Sequence, residues 1–185
     1  GANAGTTVFP AGTDNVATIS AANGGLYTAT DTGTGTSDAL TVQTISTATV
    51  DMGNNNAFAF AGLETVTFDT TTLAATGADA MELDVSTITM AADTGGTTTL
   101  NVTGTGTFHS SGAITANVIN FSGLTTGNHS TAAGGSVQMD AAAASVTSIT
   151  GSAGRDVLVG DNSSTINGGD GADSITGGIN NDTLN

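Results

Sequence analysis

Short runs of alternating apolar and polar residues follow one another along most of the chain. In TVTFD at residues 65–69, for example, Val66 and Phe68 alternate with Thr and Asp. A period of two is the pattern of a strand with one buried and one exposed face. Gly, Thr and β-branched residues dominate, and a 3.6-residue period is rare. The pattern therefore predicts an all-β protein.

The predicted strands are short and are separated by segments rich in Gly, Asn, Ser and Thr. They cover residues 8–9, 16–19, 26–30, 39–45, 57–61, 65–70, 81–85, 99–102, 114–121, 136–140 and 146–150. The Thr/Ser/Gly-rich segment 106–112, which contains His109, is predicted to be a turn.

The spacing of apolar residues predicts how these strands stack. Phe68, Val85 and Val102 begin a series that continues to Ile175 in steps close to eighteen residues. A constant step is typical of a solenoid, in which each coil repeats the one before it. We therefore predict a right-handed parallel β-solenoid (a β-helix) with two strands per coil from about Leu63 onward.

Polar residues follow the same step. Asn101, Asn120, Gln138 and Asp156 are eighteen or nineteen residues apart. Stacked amides can bond to one another from coil to coil. We therefore expect these four residues to form one polar ladder.

The last thirty-five residues contain a regular repeat. They divide into GSAGRDVLV, GDNSSTIN, GGDGADSIT and GGINNDTLN. The third unit fits the pattern G-G-x-G-x-D-x-U-x, with U aliphatic, at every fixed position. The first unit departs from it only at Ser152 and the fourth only at Asn180, whereas the second is one residue short and has Thr165 in place of the Asp.

With three good copies in tandem, residues 151–185 resemble the RTX family of secreted bacterial proteins, whose nonapeptides form calcium-binding β-rolls. The resemblance implies that the first six positions of each unit form a turn and the last three a short strand. It also implies that each ion lies between turns two units apart. Turn 151–156 would then pair with turn 168–173, and turn 160–165 with turn 177–182.

The chemistry of these turns suits calcium. Glycine allows backbone angles closed to other residues, so that carbonyl oxygens crowd inward, and the Asp adds a carboxylate. An all-oxygen site of this kind suits Ca²⁺. The expected metal-binding residues are Gly151, Ala153, Asp156, Asp161, Gly168, Gly169, Asp170, Gly171, Asp173, Gly177, Gly178, Asn180 and Asp182.

The two turn pairs are not expected to be equal. Asp156 and Asp173 give the first pair two carboxylates, which predicts one good site. In the second pair Asp182 has no matching Asp, and Asp161 is the candidate substitute, which predicts a weaker or altered site. The alternative is an array of glycine-rich turns without metal, in which stacked carboxylates would repel each other.

The charge balance limits the partners. The 185 residues include sixteen acidic residues and one basic residue, Arg155, for a net charge of −15. This charge argues against nucleic acid and anionic membrane surfaces and favours cations that offset it. The chain has no run of eighteen apolar residues, so membrane insertion is not predicted. The chain also has no cysteine, which favours a bacterial extracellular protein stabilised by metal rather than by disulfides.

Signals for catalysis are scarce. His109 and His129 lie in Thr/Ser/Gly-rich segments with no Asp or Glu at ligand spacing. No G-x-S-x-G, H-E-x-x-H or cysteine-based motif occurs. We therefore expect a protein that is not an enzyme, with no catalytic residues.

The predicted organisation has three parts. Residues 1–62 form an irregular β segment or the start of the solenoid, residues 63–150 the solenoid, and residues 151–185 the RTX roll. The chain begins at Gly1 rather than Met and ends at a repeat boundary, which predicts a fragment of a longer protein.

The Thr/Ala/Gly/Asn-rich, lysine-free composition and segments such as FAGLETVTFDT and ITANVINFSGLTT resemble surface-layer (S-layer) proteins of Gram-negative bacteria such as caulobacters. The resemblance implies type I secretion, an extracellular position on the bacterial cell surface, and calcium-driven self-assembly into a lattice. Contact with cell-surface polysaccharide would occur through other domains. Two alternatives remain: an RTX adhesin or extracellular matrix filament subunit, and the RTX export module of a secreted enzyme.

Overall fold

The computed structural model describes residues 5–9, 15–20, 26–31, 38–45, 56–70, 82–92, 96–125, 137–142 and 145–185. Within these ranges the protein consists of sixteen β-strands joined by turns and bends, without a helix. The predicted all-β class is confirmed. Accordingly, the described ranges contain no helix long and apolar enough to cross a membrane.

The strands form two sheets of eight parallel strands each, and odd-numbered and even-numbered strands belong to different sheets. The first sheet contains β1 (Gly5–Phe9), β3 (Leu26–Asp31), β5 (Asn56–Ala61), β7 (Glu82–Ala91), β9 (Thr107–Thr115), β11 (Val137–Ala142), β13 (Asp156–Val159) and β15 (Ser174–Thr176). The second contains β2 (Asn15–Ser20), β4 (Ala39–Ile45), β6 (Thr65–Asp69), β8 (Thr99–Thr105), β10 (Val118–Thr125), β12 (Ser148–Thr150), β14 (Thr165–Asn167) and β16 (Thr183–Leu184).

The order of strands follows a simple rule. Each strand pairs with the strand two further along the chain, so the chain alternates between the sheets. This arrangement is consistent with a parallel β-solenoid in which one strand of each sheet makes one coil. Strands β1 to β5, which lie within residues 1–62, belong to the same two sheets as the nonapeptide strands.

The core lies between the two sheets. In β6, Val66 and Phe68 are fully buried while the intervening Thr residues are partly exposed. Phe68 meets Phe58 of the first sheet edge-on, with ring centroids 5.0 Å apart. Phe108 and Phe121 also meet across the sheets, with ring centroids 4.9 Å apart and ring planes tilted by 43°. The alternation read from the sequence therefore sorts apolar residues inward from both sheets.

The predicted eighteen-residue step is wrong for most of the upstream coils, although Asn101 and Asn120 pair at a step of nineteen. It holds near the C-terminus, where Val157 pairs with Ser174 and Thr165 with Thr183. Upstream, however, Val66 pairs with Leu100, thirty-four residues later. The predicted series also mixed the sheets, because Phe68 and Val102 lie in the second sheet and Val85 in the first. Connections at the surface vary in length without disturbing strand register, so a constant step is not required.

Two local predictions also fail. The segment predicted to be a turn around His109 is strand β9. Residues 114–121, predicted to be one strand, are divided between β9 and β10 by Ala116 and Asn117. Asn117 lies in this break, and its side-chain oxygen accepts hydrogen bonds from both the backbone N–H (2.8 Å) and the hydroxyl (3.0 Å) of Thr98.

The predicted polar ladder is present only in part. Asn120 lies opposite Asn101, and its Nδ2 donates to Asn101 Oδ1 at 3.4 Å. Gln138 and Asp156 lie in the first sheet, where Gln138 is opposite Val157. The predicted ladder therefore stops at Asn120, because Gln138 and Asp156 belong to the other sheet and the residue opposite Asn120 in the next coil is Thr150.

Candidate metal-binding turns

The nonapeptides build alternating turns and strands in the way their pattern predicts. Each strand begins at the sixth or seventh position of its unit and contains the aliphatic residue. Leu158 and Ile166 are fully buried, Ile175 packs partly against the core, and Leu184 in the edge strand β16 is 49% exposed. These aliphatic residues hold the strands in the sheets, which fixes the turns on the two edges of the stack.

Turn 151–156 lies against turn 168–173. Gly151 N donates to Asn167 O at 2.8 Å, and Asp156 N donates to Asp173 Oδ1 at 3.0 Å. The carbonyl oxygens of Ser152 and Gly154 sit where Cβ atoms on Gly169 and Gly171 would be. Only glycine allows this approach, and Gly169 and Gly171 also have positive φ, at +93° and +126°.

Turn 160–165 lies against turn 177–182 in the same way. Ile179 N donates to Asp161 O at 2.8 Å. Asn180 Nδ2 donates to Asn162 Oδ1 at 2.6 Å, so an amide pair bridges these two turns. Asn180, which replaces the expected Gly, has a φ of +72°, a conformation that Asn adopts more readily than most residues.

The buried carboxylate of Asp156 is the strongest electrostatic feature of the site. The residue is 0% exposed. Its Oδ2 accepts from Ser152 N at 2.6 Å and its Oδ1 from Ser152 Oγ at 2.7 Å. Burial raises the pKa of Asp156 above its ordinary value, the bonds from Ser152 oppose the rise, and the nearby Asp173 adds to it. A cation beside Asp156 and Asp173 would lower this cost by favouring the charged form.

The other predicted site residues lie at different depths. Gly151 and Gly168 are buried, Gly177 is intermediate, and Gly169, Gly171 and Gly178 are exposed. Asp161, Asp173 and Asp182 are partly exposed, whereas Ala153, Asp170 and Asn180 are exposed. The structure therefore brings Asp156 and Asp173 together across one turn pair. Across the other pair, Ser164 N donates to Asp182 Oδ1.

The residues present fit an oxygen-only cation site rather than a cluster of acidic side chains. Across the described residues, no three His, Asp or Glu side chains come close enough to hold a metal ion together. An ion at these turns would therefore depend on backbone carbonyls. At the first turn pair, Gly168 O and Asp156 Oδ2 converge on the space that a Cβ on Gly151 would fill. Such a cradle of carbonyl and carboxylate oxygens has the donor chemistry that Ca²⁺ prefers.

Sequence reasoning missed three residues that shape these turns. Ser152 was noted only as a departure from the glycine pattern, yet it supplies both bonds described above to Asp156. Asn162 receives the amide of Asn180, and Ser164 donates its N–H to Asp182 Oδ1 at 2.8 Å. For Asn162 and Ser164 the available signal was position, because each lies in a turn eighteen residues before its partner in the next coil. Ser152 instead bonds to Asp156 within its own turn.

Comparison of the chain with family models, with curated proteins and with solved structures gave no match. The resemblance to RTX proteins therefore rests on the nonapeptides of residues 151–185.

Proposed function

We propose that this chain is part of a calcium-dependent, self-assembling surface-layer protein on the outside of a bacterial cell. In this proposal the two parallel sheets form a right-handed β-solenoid whose C-terminal end, residues 151–185, is an RTX β-roll. The observation that carries the proposal is the stacking of turn 151–156 on turn 168–173. It brings carbonyl oxygens against Gly169 and Gly171 and a carbonyl and a carboxylate oxygen against Gly151.

Calcium would be held by the carboxylates of Asp156 and Asp173 together with carbonyl oxygens of their turns. The ion would supply positive charge to a chain with a net charge of −15. In the low-calcium cytosol the acidic chain would stay extended and suited to export by a type I system. Outside the cell, calcium near 10⁻³ M would meet sites with dissociation constants of about 10⁻⁴ to 10⁻³ M.

The role we propose is structural rather than catalytic. His109 lies in the middle of strand β9 with its side chain partly exposed, between the buried residues Phe108 and Ser110. His129 lies outside the described residues. A regular stack of short strands is suited to repeating contacts along its length rather than to a single cleft.

The second sheet is a candidate surface for contact with a second copy of the chain. Among the residues that the structure describes, Asp69 is the only acidic residue in a strand of this sheet. In the first sheet, by contrast, the single strand β7 contains two acidic residues, Glu82 and Asp84, and β3, β11 and β13 contain one each. On the outer side of β8 to β14 the second sheet presents neutral residues such as Asn101, Asn120 and Thr150. Copies this acidic repel each other elsewhere, and interface cores are depleted in charge.

A single negative charge on this sheet is expected to weaken self-assembly. Asn120→Asp keeps the acceptor for Ser122 N, which lies 3.0 Å from Asn120 Oδ1. The added carboxylate would face its counterpart or other polar groups in a second copy. We expect the concentration needed for assembly in calcium to rise at least about tenfold, since like charges that face each other at an interface destabilise it by more than the roughly 1.4 kcal/mol that a tenfold change represents. Light scattering and electron microscopy measure the concentration at which assembly begins.

Gln138→Glu is the matched control, because it adds the same charge at an exposed position in the first sheet. It is expected to change the assembly concentration by less than about twofold. Equal effects of the two substitutions would contradict the assignment of the second sheet.

Electron microscopy of the protein in calcium and in EGTA tests the proposed function directly. A planar lattice that forms in calcium and is lost in EGTA is the expected result. Calcium-dependent fibres would instead support an adhesin or matrix filament. A catalytic domain in the same gene would support an export module, and the absence of any calcium-dependent assembly would contradict the surface-layer proposal.

A further inference from the structure

The carboxylates of the nonapeptides make a hydrogen bond that involves no metal. Asp156 N donates to Asp173 Oδ1 at 3.0 Å, and Ser164 N donates to Asp182 Oδ1 at 2.8 Å. In both cases the acceptor lies at the equivalent position of the next coil, because Val157 pairs with Ser174 and Thr165 with Thr183 one residue later. Each bond therefore joins the starts of two neighbouring strands in one sheet.

The same bond recurs upstream, where no nonapeptide occurs. Asp38 N donates to Glu64 Oε2 at 3.0 Å, and Thr98 N donates to Asn117 Oδ1 at 2.8 Å. These pairs also stand one residue before paired strand positions, Ala39 with Thr65 and Thr99 with Val118. Because Asn117 is an amide, the bond does not require a charged acceptor.

Asp156, which lies between the upstream pairs and the later nonapeptides, is an acceptor of the same kind. Its carboxylate accepts a hydrogen bond from the backbone N–H of Val137, the residue opposite it in the preceding coil. Strand starts in both sheets are thus joined to the next coil by a side-chain acceptor. We call Glu64, Asn117, Asp156, Asp173 and Asp182 the acceptor residues.

In the nonapeptides the second carboxylate oxygen has a different position. Asp173 Oδ2 lies over Gly168 and Asp182 Oδ2 over Gly177, so close that neither glycine has room for a Cβ. One oxygen thus reaches the preceding coil while the other faces the turn of its own coil. One carboxylate oxygen therefore joins two coils, and the other remains available to the turn of its own coil.

We infer that the acceptor residues hold neighbouring coils in register independently of calcium, and that the nonapeptide Asp combines cation binding with this joining of coils. The first half of this inference stands on the hydrogen bonds alone. The second half rests on the proposed function, since it assigns calcium to the same turns. A backbone N–H that loses its only acceptor at a strand start carries an unsatisfied donor, which destabilises the joined coils.

Two substitutions at Asp173 separate the two tasks. Asp173→Asn retains an oxygen acceptor and removes the charge, whereas Asp173→Ala removes both. The readout is amide hydrogen exchange of Asp156, the donor of the bond, with EGTA and with calcium. In EGTA, Asp173→Ala is expected to speed this exchange about tenfold or more, and Asp173→Asn to leave it within about threefold. In calcium, both variants are expected to lose the added protection that the parent protein gains.

Asn117 provides the matched pair away from the nonapeptides. Asn117→Ala is expected to speed exchange of the Thr98 amide about tenfold, and Asn117→Asp to leave it nearly unchanged, in both cases regardless of calcium.

The outcomes distinguish the two halves. Equal exchange of Asp156 in Asp173→Asn and Asp173→Ala in EGTA would overturn the coil-joining role. If those variants differ but calcium protects none of the proteins, the coil-joining role stands and the proposed calcium site is wrong. If Asp173→Asn still gains protection from calcium, the assignment of its charge to cation binding is wrong.

Discussion

Removal of calcium with EGTA is expected to loosen residues 151–185 and to lower the thermal unfolding midpoint of the chain. The cause is the burial of Asp156 beside Asp173, which leaves two carboxylates close together in a chain with one basic residue. A site half-saturated at about 10⁻⁴ to 10⁻³ M contributes about 1 kcal/mol at millimolar calcium. The effect grows when stacked turns order together, because each turn supports the next.

Far-ultraviolet circular dichroism and amide hydrogen exchange measure this result. Exchange should rise most in residues 151–185 and least in the coils around Phe108 and Phe121, which the aromatic contact at 4.9 Å holds together. Magnesium is the control, because it prefers a stricter octahedral site and keeps its waters. Unchanged dichroism and unchanged exchange in EGTA would contradict calcium binding at these turns.

Gly171→Ala is expected to be among the most damaging single substitutions in the turns. Gly171 has a φ of +126°, and a Cβ there would collide with Gly154 O of the turn one coil before. The strained backbone and the displaced carbonyl together are expected to lower the free energy of unfolding by about 3 kcal/mol. The substitution would also displace the Gly154 carbonyl oxygen in turn 151–156 of the candidate calcium site, so the response to calcium should fall as well.

Chemical denaturation with and without calcium checks this prediction. Ala172→Ser is the matched control, because Ala172 is the neighbouring residue of the same turn and is exposed. It is expected to change stability by less than about 0.5 kcal/mol. A Gly171→Ala protein as stable as Ala172→Ser, with an unchanged calcium response, would show that the two turns do not need this close approach.

The stacking of the turns explains why the two sides of the roll should differ. On one side the carboxylates of Asp156 and Asp173 come close together, and the charge of Asp173 raises the pKa of Asp156. On the other, the amide pair of Asn162 and Asn180 joins the turns at 2.6 Å without any charge. The sequence predicted this asymmetry from Thr165, which stands in the place of an Asp. It did not predict the amide pair, although the expected pairing of turn 160–165 with turn 177–182 placed Asn162 and Asn180 one coil apart.

Much of the fold could be read from residue patterns. The alternation in TVTFD placed Val66 and Phe68 inward, and both are fully buried. Strand β9 was missed because Ser110, Ser111 and Gly112 interrupt its apolar pattern. The structure nevertheless pairs β9 with β7 and β11, and pairing on both sides outweighs weak local strand preference.

By itself, the sequence determined the β class of this protein and the turn-forming repeats at its end. Both depend on local rules: alternation selects strands, and glycine at fixed positions selects tight turns. Only the tertiary structure decided which strands are neighbours, because turns between strands vary in length while register is set by pairing across coils. That pairing joins Asp38 to Glu64 and Thr98 to Asn117. Such contacts between residues far apart in the sequence hold the coils together in one stack.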